Sequence, residues 1–129
     1  MSKRLLQTCV GILCCVPLSA SLAGIVMGPA TFGATDAAAA GLDSHFRYLS
    51  GLFLGIAIGF VSCIPGIETK GARFRALTAC VVLGGLARAG SWAAVGMPEW
   101  PHLAGLGFEL VATPALAFWQ ARLQRGRAS

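Results

Sequence analysis

Residues 70–95 read KGARFRALTACVVLGGLARAGSWAAV and decide the fold of this chain. Three cations, Lys70, Arg73 and Arg75, precede an apolar stretch that covers Ala76–Val95. Such a stretch has the roughly 17 to 25 residues that a tilted helix needs to cross a hydrocarbon core of about 30 Å. A helix is required because lipid offers no hydrogen-bond partner to an open backbone. The pattern predicts a transmembrane helix that starts at a basic cluster.

Three further apolar stretches of similar length flank this one, and they cover Leu5–Met27, Phe46–Ile64 and Leu103–Trp119. The composition agrees, because 56% of the residues are hydrophobic, only 12% are charged and the mean hydropathy is +0.72. These values lie outside the averages for soluble domains. The sequence therefore predicts an all-α protein, an antiparallel bundle of four transmembrane helices that forms a single domain over residues 1–129.

Eight of the ten Lys and Arg residues lie in three clusters: Lys3 and Arg4; Lys70, Arg73 and Arg75; Arg122, Arg125 and Arg127. Two predicted spans separate each cluster from the next, so all three clusters fall on one face of the membrane. The positive-inside rule makes that face cytoplasmic, together with both termini. Because the basic residues flank apolar segments and form no continuous stripe, membrane lipids with anionic headgroups are the expected partner, and nucleic acid is not.

The first apolar stretch has a second interpretation. Lys3 and Arg4, the apolar run and the small residues 19–23 are also typical of a cleavable secretory signal. The run continues to Met27, which is longer than the apolar core of most signals and favours a retained first span. Cleavage would leave three spans with the new N-terminus outside, and both alternatives stay open.

The connection Gly28–His45 is the longest between predicted spans, and it contains Asp36 and Asp43. Two carboxylates fall short of the six to eight oxygens that calcium takes. We therefore interpret both acids as residues of a solvated outer loop, and we expect no metal site in it.

Two charges interrupt the apolar pattern inside the predicted spans, Arg88 in the third and Glu109 in the fourth. They lie equally far in sequence from the turn at Pro98 and Glu99, so an antiparallel hairpin brings them to the same depth. A lone charge at the centre of a membrane helix costs about 2.5 to 3.5 kcal/mol on insertion scales. The register therefore predicts an ion pair between Arg88 and Glu109.

Arg47 begins the second span on the same outer side, and glycines follow it at a spacing of four. We expect Arg47 to point into the bundle and to join Arg88 and Glu109 in one polar cluster. Possible additional hydrogen-bonding residues are His45, Tyr48, Ser50 and Ser91. The glycines expected to let helices approach closely are Gly51, Gly55, Gly59, Gly84 and Gly105.

Two arginines against one glutamate leave one positive charge in surplus, and this supports two hypotheses. The cluster is either a structural clamp or a small pocket for an anion or a lipid headgroup, with Glu109 orienting Arg88. A related alternative is a small oligomeric transporter in which Glu109 exchanges a proton. The five cysteines lie in apolar stretches without metal-ligand spacing. With no nucleophile, metal or cofactor motif, we expect neither a cofactor nor catalysis, and an enzyme acting on lipid or quinone is the least favoured hypothesis.

Three sequence runs resemble a known family: HFRYLSGLFLG at 45–55, RFRA at 73–76 and VLGGLAR at 82–88. The family is the bacterial small integral membrane proteins of domain of unknown function 4345, which also carry a Gly-x-Pro turn like residues 96–98 and a glutamate like Glu109 in the last span. The resemblance implies four helices in the bacterial cytoplasmic (inner) membrane and no established activity. The expected role is that of an accessory or interaction protein, with a possible homo-oligomer or another membrane protein as partner.

Overall fold

The computed structural model describes residues 2–32 and 40–128, and within these residues every regular element is helical. The elements in chain order are α1 (Lys3–Met27), a 3₁₀ turn (Gly28–Phe32), α2 (Ala40–Cys63), α3 (Gly71–Val95), α4 (Trp100–Gly107), a π-helical segment (Phe108–Ala112) and α5 (Thr113–Ala128). The prediction of an all-α protein is confirmed for this part of the chain.

Three helical segments are long and apolar enough to cross a membrane, and they cover Lys3–Phe32, Ala40–Cys63 and Gly71–Val95. They contain most of the first three predicted spans. The fourth predicted span falls across α4, the π-helical segment and α5, which follow one another without a break. The chain thus has three helices that qualify as membrane spans by length and composition, and the fourth span stays a prediction.

The π-helical segment has a local cause in Pro114, two residues after its end. Pro114 has no N–H to donate to the carbonyl four residues earlier, so the preceding turn is free to widen. The backbone N–H of Thr113 donates to the carbonyl of Phe108, five residues back. The Thr113 hydroxyl donates to the same carbonyl at 2.9 Å. Glu109 lies inside this widened turn.

The chain groups by proximity into two compact units. The first, called the 8–64 unit, comprises Thr8–Ile64, and the second, called the 65–129 unit, joins Met1–Gln7 to Pro65–Ser129. The interpretation of residues 1–129 as a single domain stays a prediction.

The 65–129 unit is built on α3, which packs against α5 and the π-helical segment. Leu6, Ile67 and Phe74 are fully buried, so the first turns of α1 contribute to its interior. Gly85 is a point of close approach between α3 and the π-helical segment, because a Cβ there would lie 2.9 Å from Cβ of Glu109. The missing side chain lets the backbone of α3 come close enough for Arg88, one turn further on, to reach Glu109.

Candidate functional site

An ion pair between Arg88 on α3 and Glu109 in the π-helical segment is the centre of the candidate site. Nε of Arg88 donates to Oε2 of Glu109 at 3.1 Å, and Nη2 donates to Oε1 at 3.0 Å. This bidentate arrangement is the strongest form of a guanidinium–carboxylate contact. Glu109 is only 7% exposed, so the carboxylate depends on Arg88 for its compensation. The contact predicted from the register is present.

His102 on α4 is the third member of this cluster. Its Nδ1 lies 3.0 Å from Nη1 of Arg88. A guanidinium can only donate hydrogen bonds, so Nδ1 must accept and the imidazole must be neutral, with its proton on Nε2. The three side chains, called the Arg88 cluster from here on, therefore carry one positive and one negative charge and no surplus.

His102 was not predicted to belong to the cluster, although its spacing from Glu109 is a signal in the sequence. His102 and Glu109 are seven residues apart, which places them on one face of a helix two turns apart. A polar residue at that spacing from Glu109 is a candidate neighbour of Arg88, the arginine that pairs with Glu109.

Arg47 has its partners inside the 8–64 unit. Its Nε donates to Oδ2 of Asp43 at 2.8 Å, and its Nη2 donates to Oδ1 at 3.2 Å. Its Nη1 donates to the carbonyls of Ile25 and Val26. These carbonyls belong to the last turn of α1, where the helix supplies no donors of its own. Arg47 therefore caps the C-terminal end of α1 while Asp43 holds the guanidinium in place.

Gly28 makes this cap possible. It follows the last residue of α1 and has φ +61°, the left-handed conformation in which glycine commonly ends helices. A Cβ at this position would lie 2.9 Å from Nη2 of Arg47. A side chain there would thus be strained by the backbone and would also crowd the guanidinium.

Two interpretations from the sequence are wrong. Asp43 is not a solvated loop residue, because α2 begins at Ala40 and Asp43 in its first turn pairs with Arg47. The surplus positive charge is also absent, because Arg47 and Arg88 each have a carboxylate partner. The convergence of Arg47 on Arg88 and Glu109 stays a prediction. Asp36 lies outside the described residues.

The residues expected to support the cluster are placed as follows. Tyr48 is 62% exposed, and His45 and Ser91 are exposed as well. The Ser50 hydroxyl donates to the carbonyl of Phe46 in its own helix at 2.9 Å. A contribution of these four residues to a polar cluster stays a prediction.

The glycines expected at helix contacts divide into two groups. A Cβ at Gly105 would lie 3.9 Å from Cζ of Arg88, in ordinary contact with the cluster. At Gly51, Gly55 and Gly84, an added Cβ would meet no other part of the described residues within 4 Å. The expectation that these three glycines pack against a neighbouring helix stays a prediction. Gly59 is half-buried.

A second polar group in the 65–129 unit lies around the turn before α3, at the end that carries the basic residues. Nζ of Lys3 lies 2.7 Å from Oε1 of Glu68, whose residue is 8% exposed. Nε2 of Gln120, a fully buried residue, donates to the carbonyl of Ile67 at 2.8 Å. Glu68 was not predicted as a site residue, although it is the one acid in the basic turn 67–75. These contacts tie the start of α1 and the middle of α5 to the same turn.

Comparison with known proteins identifies a family. A family model described as "Domain of unknown function (DUF4345)" matches residues 5–120. This range includes every residue of the Arg88 cluster as well as Arg47 and Asp43. Comparison with curated proteins and with solved structures finds no match.

Proposed function

The chain belongs to the DUF4345 family, whose description assigns no activity, and from the geometry of its own residues we propose a non-enzymatic membrane protein with an accessory or interaction role. In this proposal the chain crosses the bacterial cytoplasmic membrane four times and keeps both termini inside. The Arg88 cluster clamps the last two spans together, and the function lies in contacts with other membrane components.

The proposed fourth span is supported by the continuity of the helix after Trp100. Residues 100–128 form an uninterrupted helical segment, which at 1.5 Å per residue is roughly 43 Å long. This length exceeds a hydrocarbon core of about 30 Å, so the segment can cross the membrane and extend into the cytoplasm. Arg122 and Arg125 then lie on the side that the positive-inside rule assigns to basic residues.

The observation that carries the proposed clamp is the charge balance of the Arg88 cluster. An anion-binding pocket needs positive charge that is not already compensated. Here a buried carboxylate occupies Nε and Nη2 of Arg88, and His102 occupies Nη1. Three of the five N–H donors of the guanidinium thus make contacts within the protein, and Glu109 balances its charge, as expected of a residue that joins two helices.

The proposed interaction role is supported by the glycine face of α2, which consists of Gly51 and Gly55. Glycines four residues apart let a second membrane helix approach closely, so that backbone contacts replace side-chain packing. Apart from the backbone of α2 and the adjacent residues, added Cβ atoms at both positions would meet no atom of the described residues within 4 Å. We propose a helix of a second copy, or of another membrane protein, as the partner on this face, and anionic lipid headgroups as the partner of the basic clusters.

A small oligomeric transporter is the second candidate, because Glu109 is a buried carboxylate in a π-helical turn. Such turns occur frequently at functional sites, and ionisable groups inside membrane spans often carry protons. In this alternative Glu109 takes up a proton when it separates from Arg88. It requires a water-filled path to Glu109.

Charge exchange between Arg88 and Glu109 separates the two candidates. We expect Arg88→Glu and Glu109→Arg each to lower the free energy of unfolding by about 3 to 5 kcal/mol. The loss should lie nearer the lower figure, because the Arg88 side chain is 36% exposed. The double exchange should recover part of it, because it restores an opposite-charge pair. The measurement is membrane abundance together with thermal unfolding in detergent.

Glu109→Gln is the matched control, since it keeps the shape of the side chain and removes its charge. A loss of stability in Glu109→Gln supports the clamp. Parent-like or higher stability of Glu109→Gln would contradict the clamp and favour the proton-exchanging transporter. A double exchange no more stable than either single variant would also contradict the clamp.

A further inference from the structure

The contact between His102 and Arg88 differs from the ion pair between Arg88 and Glu109 in one respect. Protonation of His102 removes the acceptor that this contact needs. Arg88 stays protonated at every relevant pH and only donates hydrogen bonds. The 3.0 Å contact with Nη1 of Arg88 therefore exists only while Nδ1 of His102 carries no proton. When the imidazole gains a proton, both ring nitrogens become donors and the ring carries a positive charge.

From this geometry we infer that His102 is a proton-binding site that controls the attachment of α4 to α3. In its neutral form His102 accepts a hydrogen bond from Arg88 and holds the first turn of α4 against α3. When the imidazole binds a proton, the acceptor is lost and two cations face each other. The contact then opens and α4 loosens, while Arg88 keeps its two bonds to Glu109.

The charged groups around His102 determine the sign of this effect. From α3 it faces Arg88, which opposes a second positive charge. Glu109 of the π-helical segment lies on the other side of that guanidinium and is already bound to Nε and Nη2. On its own element the nearest charge in sequence is Glu99, whose carbonyl accepts from the backbone N–H of His102 at 3.0 Å. At the position it occupies, protonated His102 directly faces the guanidinium of Arg88.

The place of His102 in the helix makes the loosening local. His102 lies in the first turn of α4, a helix of eight residues, and Glu99 at its N-cap forms no side-chain capping hydrogen bond. None of the residues of α4 is buried. α4 continues without a break into the π-helical segment. Its first turn has no side-chain cap and no buried residue, so loss of the hydrogen bond to Arg88 opens this turn before the rest of the unit.

This inference extends the proposed clamp by giving one of its contacts a dependence on pH. In the proposed topology α4 begins at the outer face, so His102 responds to the pH outside the cytoplasmic membrane. The interaction partner would then meet a different outer end of the protein in acidic surroundings.

Hydrogen exchange of the backbone amides of residues 102–107 tests the inference on the full chain in nanodiscs. After correction for the chemical exchange rate at each pH, we expect these amides to exchange about tenfold faster at pH 5 than at pH 7.5, the effect of losing one hydrogen bond to a charged group. Amides of α1 provide the internal reference, and their protection should not change. His102→Asn keeps an acceptor near the position of Nδ1 and binds no proton, so it should abolish the acceleration.

Two further variants complete the test. His45→Asn changes the other histidine of the chain and should respond to pH like the parent. His102→Lys carries its charge at both pH values and should exchange rapidly at both. The inference is overturned if His102→Asn keeps the acceleration, because the carboxylates would then be its cause, or if the parent shows none. Because the charge exchange tests the Arg88–Glu109 pair separately, failure of either proposal can be told from failure of the other.

Discussion

At the scale of single residues, the Arg88 cluster depends on neighbouring glycines, which have no side chain. Gly85 lets α3 approach the π-helical segment, and Gly105 leaves room beside the guanidinium. At Gly84, adjacent to Gly85 in sequence, an added Cβ would meet no described atom within 4 Å apart from the backbone of α3 and the adjacent residues. Two consecutive glycines therefore have different roles, and this allows a matched experiment.

We expect Gly85→Ala to lower the free energy of unfolding by about 1 to 3 kcal/mol, the usual cost of adding a methyl group to a close contact. The added Cβ would lie 2.9 Å from Cβ of Glu109 and 2.8 Å from Cδ2 of Leu110. Gly84→Ala should change the same quantity by less than about 1 kcal/mol, since alanine is the better helix former. Thermal unfolding of both variants in one detergent measures the difference, and equal stabilities would disprove the close approach at Gly85.

At the scale of helices, the most informative contact is the cap that Arg47 forms on α1. The residue belongs to α2, but its Nη1 donates to the carbonyls of Ile25 and Val26 at the end of α1. Asp43, one turn earlier in α2, orients the guanidinium. The cap joins two helices that a connection of more than ten residues separates in sequence. It therefore fixes the position of the end of α1 relative to the start of α2.

We expect Arg47→Ala to lower the unfolding temperature more than Arg47→Lys. Lysine keeps the charge beside Asp43, but its single ammonium cannot bond to the carboxylate and the two carbonyls in the same fork geometry. Arg125→Ala, which removes an exposed arginine of α5, serves as the control and should have little effect. If Arg47→Ala is as stable as the control, the cap does not contribute to stability.

The positions of the helices followed from the sequence, but the first residues of α2 did not. Apolar stretches predict where a helix crosses lipid, because the free energy of moving a helical segment from water into lipid depends on its composition. Residues 40–45 are mixed in polarity, and their helical conformation accompanies the contact between Asp43 and Arg47. The π-helical segment was not predicted either, although Pro114 indicated an irregularity in that helix.

At the scale of the whole molecule, the proposed topology rests on the distribution of charge. The three basic clusters lie at the N-terminal end, in the turn before α3 and at the C-terminal end. Two predicted spans separate each cluster from the next. In the 65–129 unit, Lys3 and Glu68 bring the first cluster together with the turn before the second. This contact is consistent with one cytoplasmic face.

We expect a membrane-impermeant maleimide, added to intact cells, to label cysteines introduced at Ser44 and Met97. Cysteines introduced at Ser2 and Thr69 should react only after the membrane is permeabilised, because these residues lie beside the basic clusters. The parent for these variants is a chain whose five cysteines are replaced, and it should give no signal. Labelling of Ser2→Cys in intact cells would contradict the four-span topology.

By itself the sequence determined the helical class, the family, the positions of three membrane-compatible helices and the contact between Arg88 and Glu109. Each of these depends either on local composition or on the number of residues between a position and a common turn. Both quantities can be read from the linear sequence. The tertiary structure decided the partners of Arg47, the inclusion of His102 and the burial of Glu68 and Gln120. Those features depend on which faces of separate helices meet, because hydrogen bonds and close packing require atoms within a few ångströms, and spacing along the chain does not determine that distance.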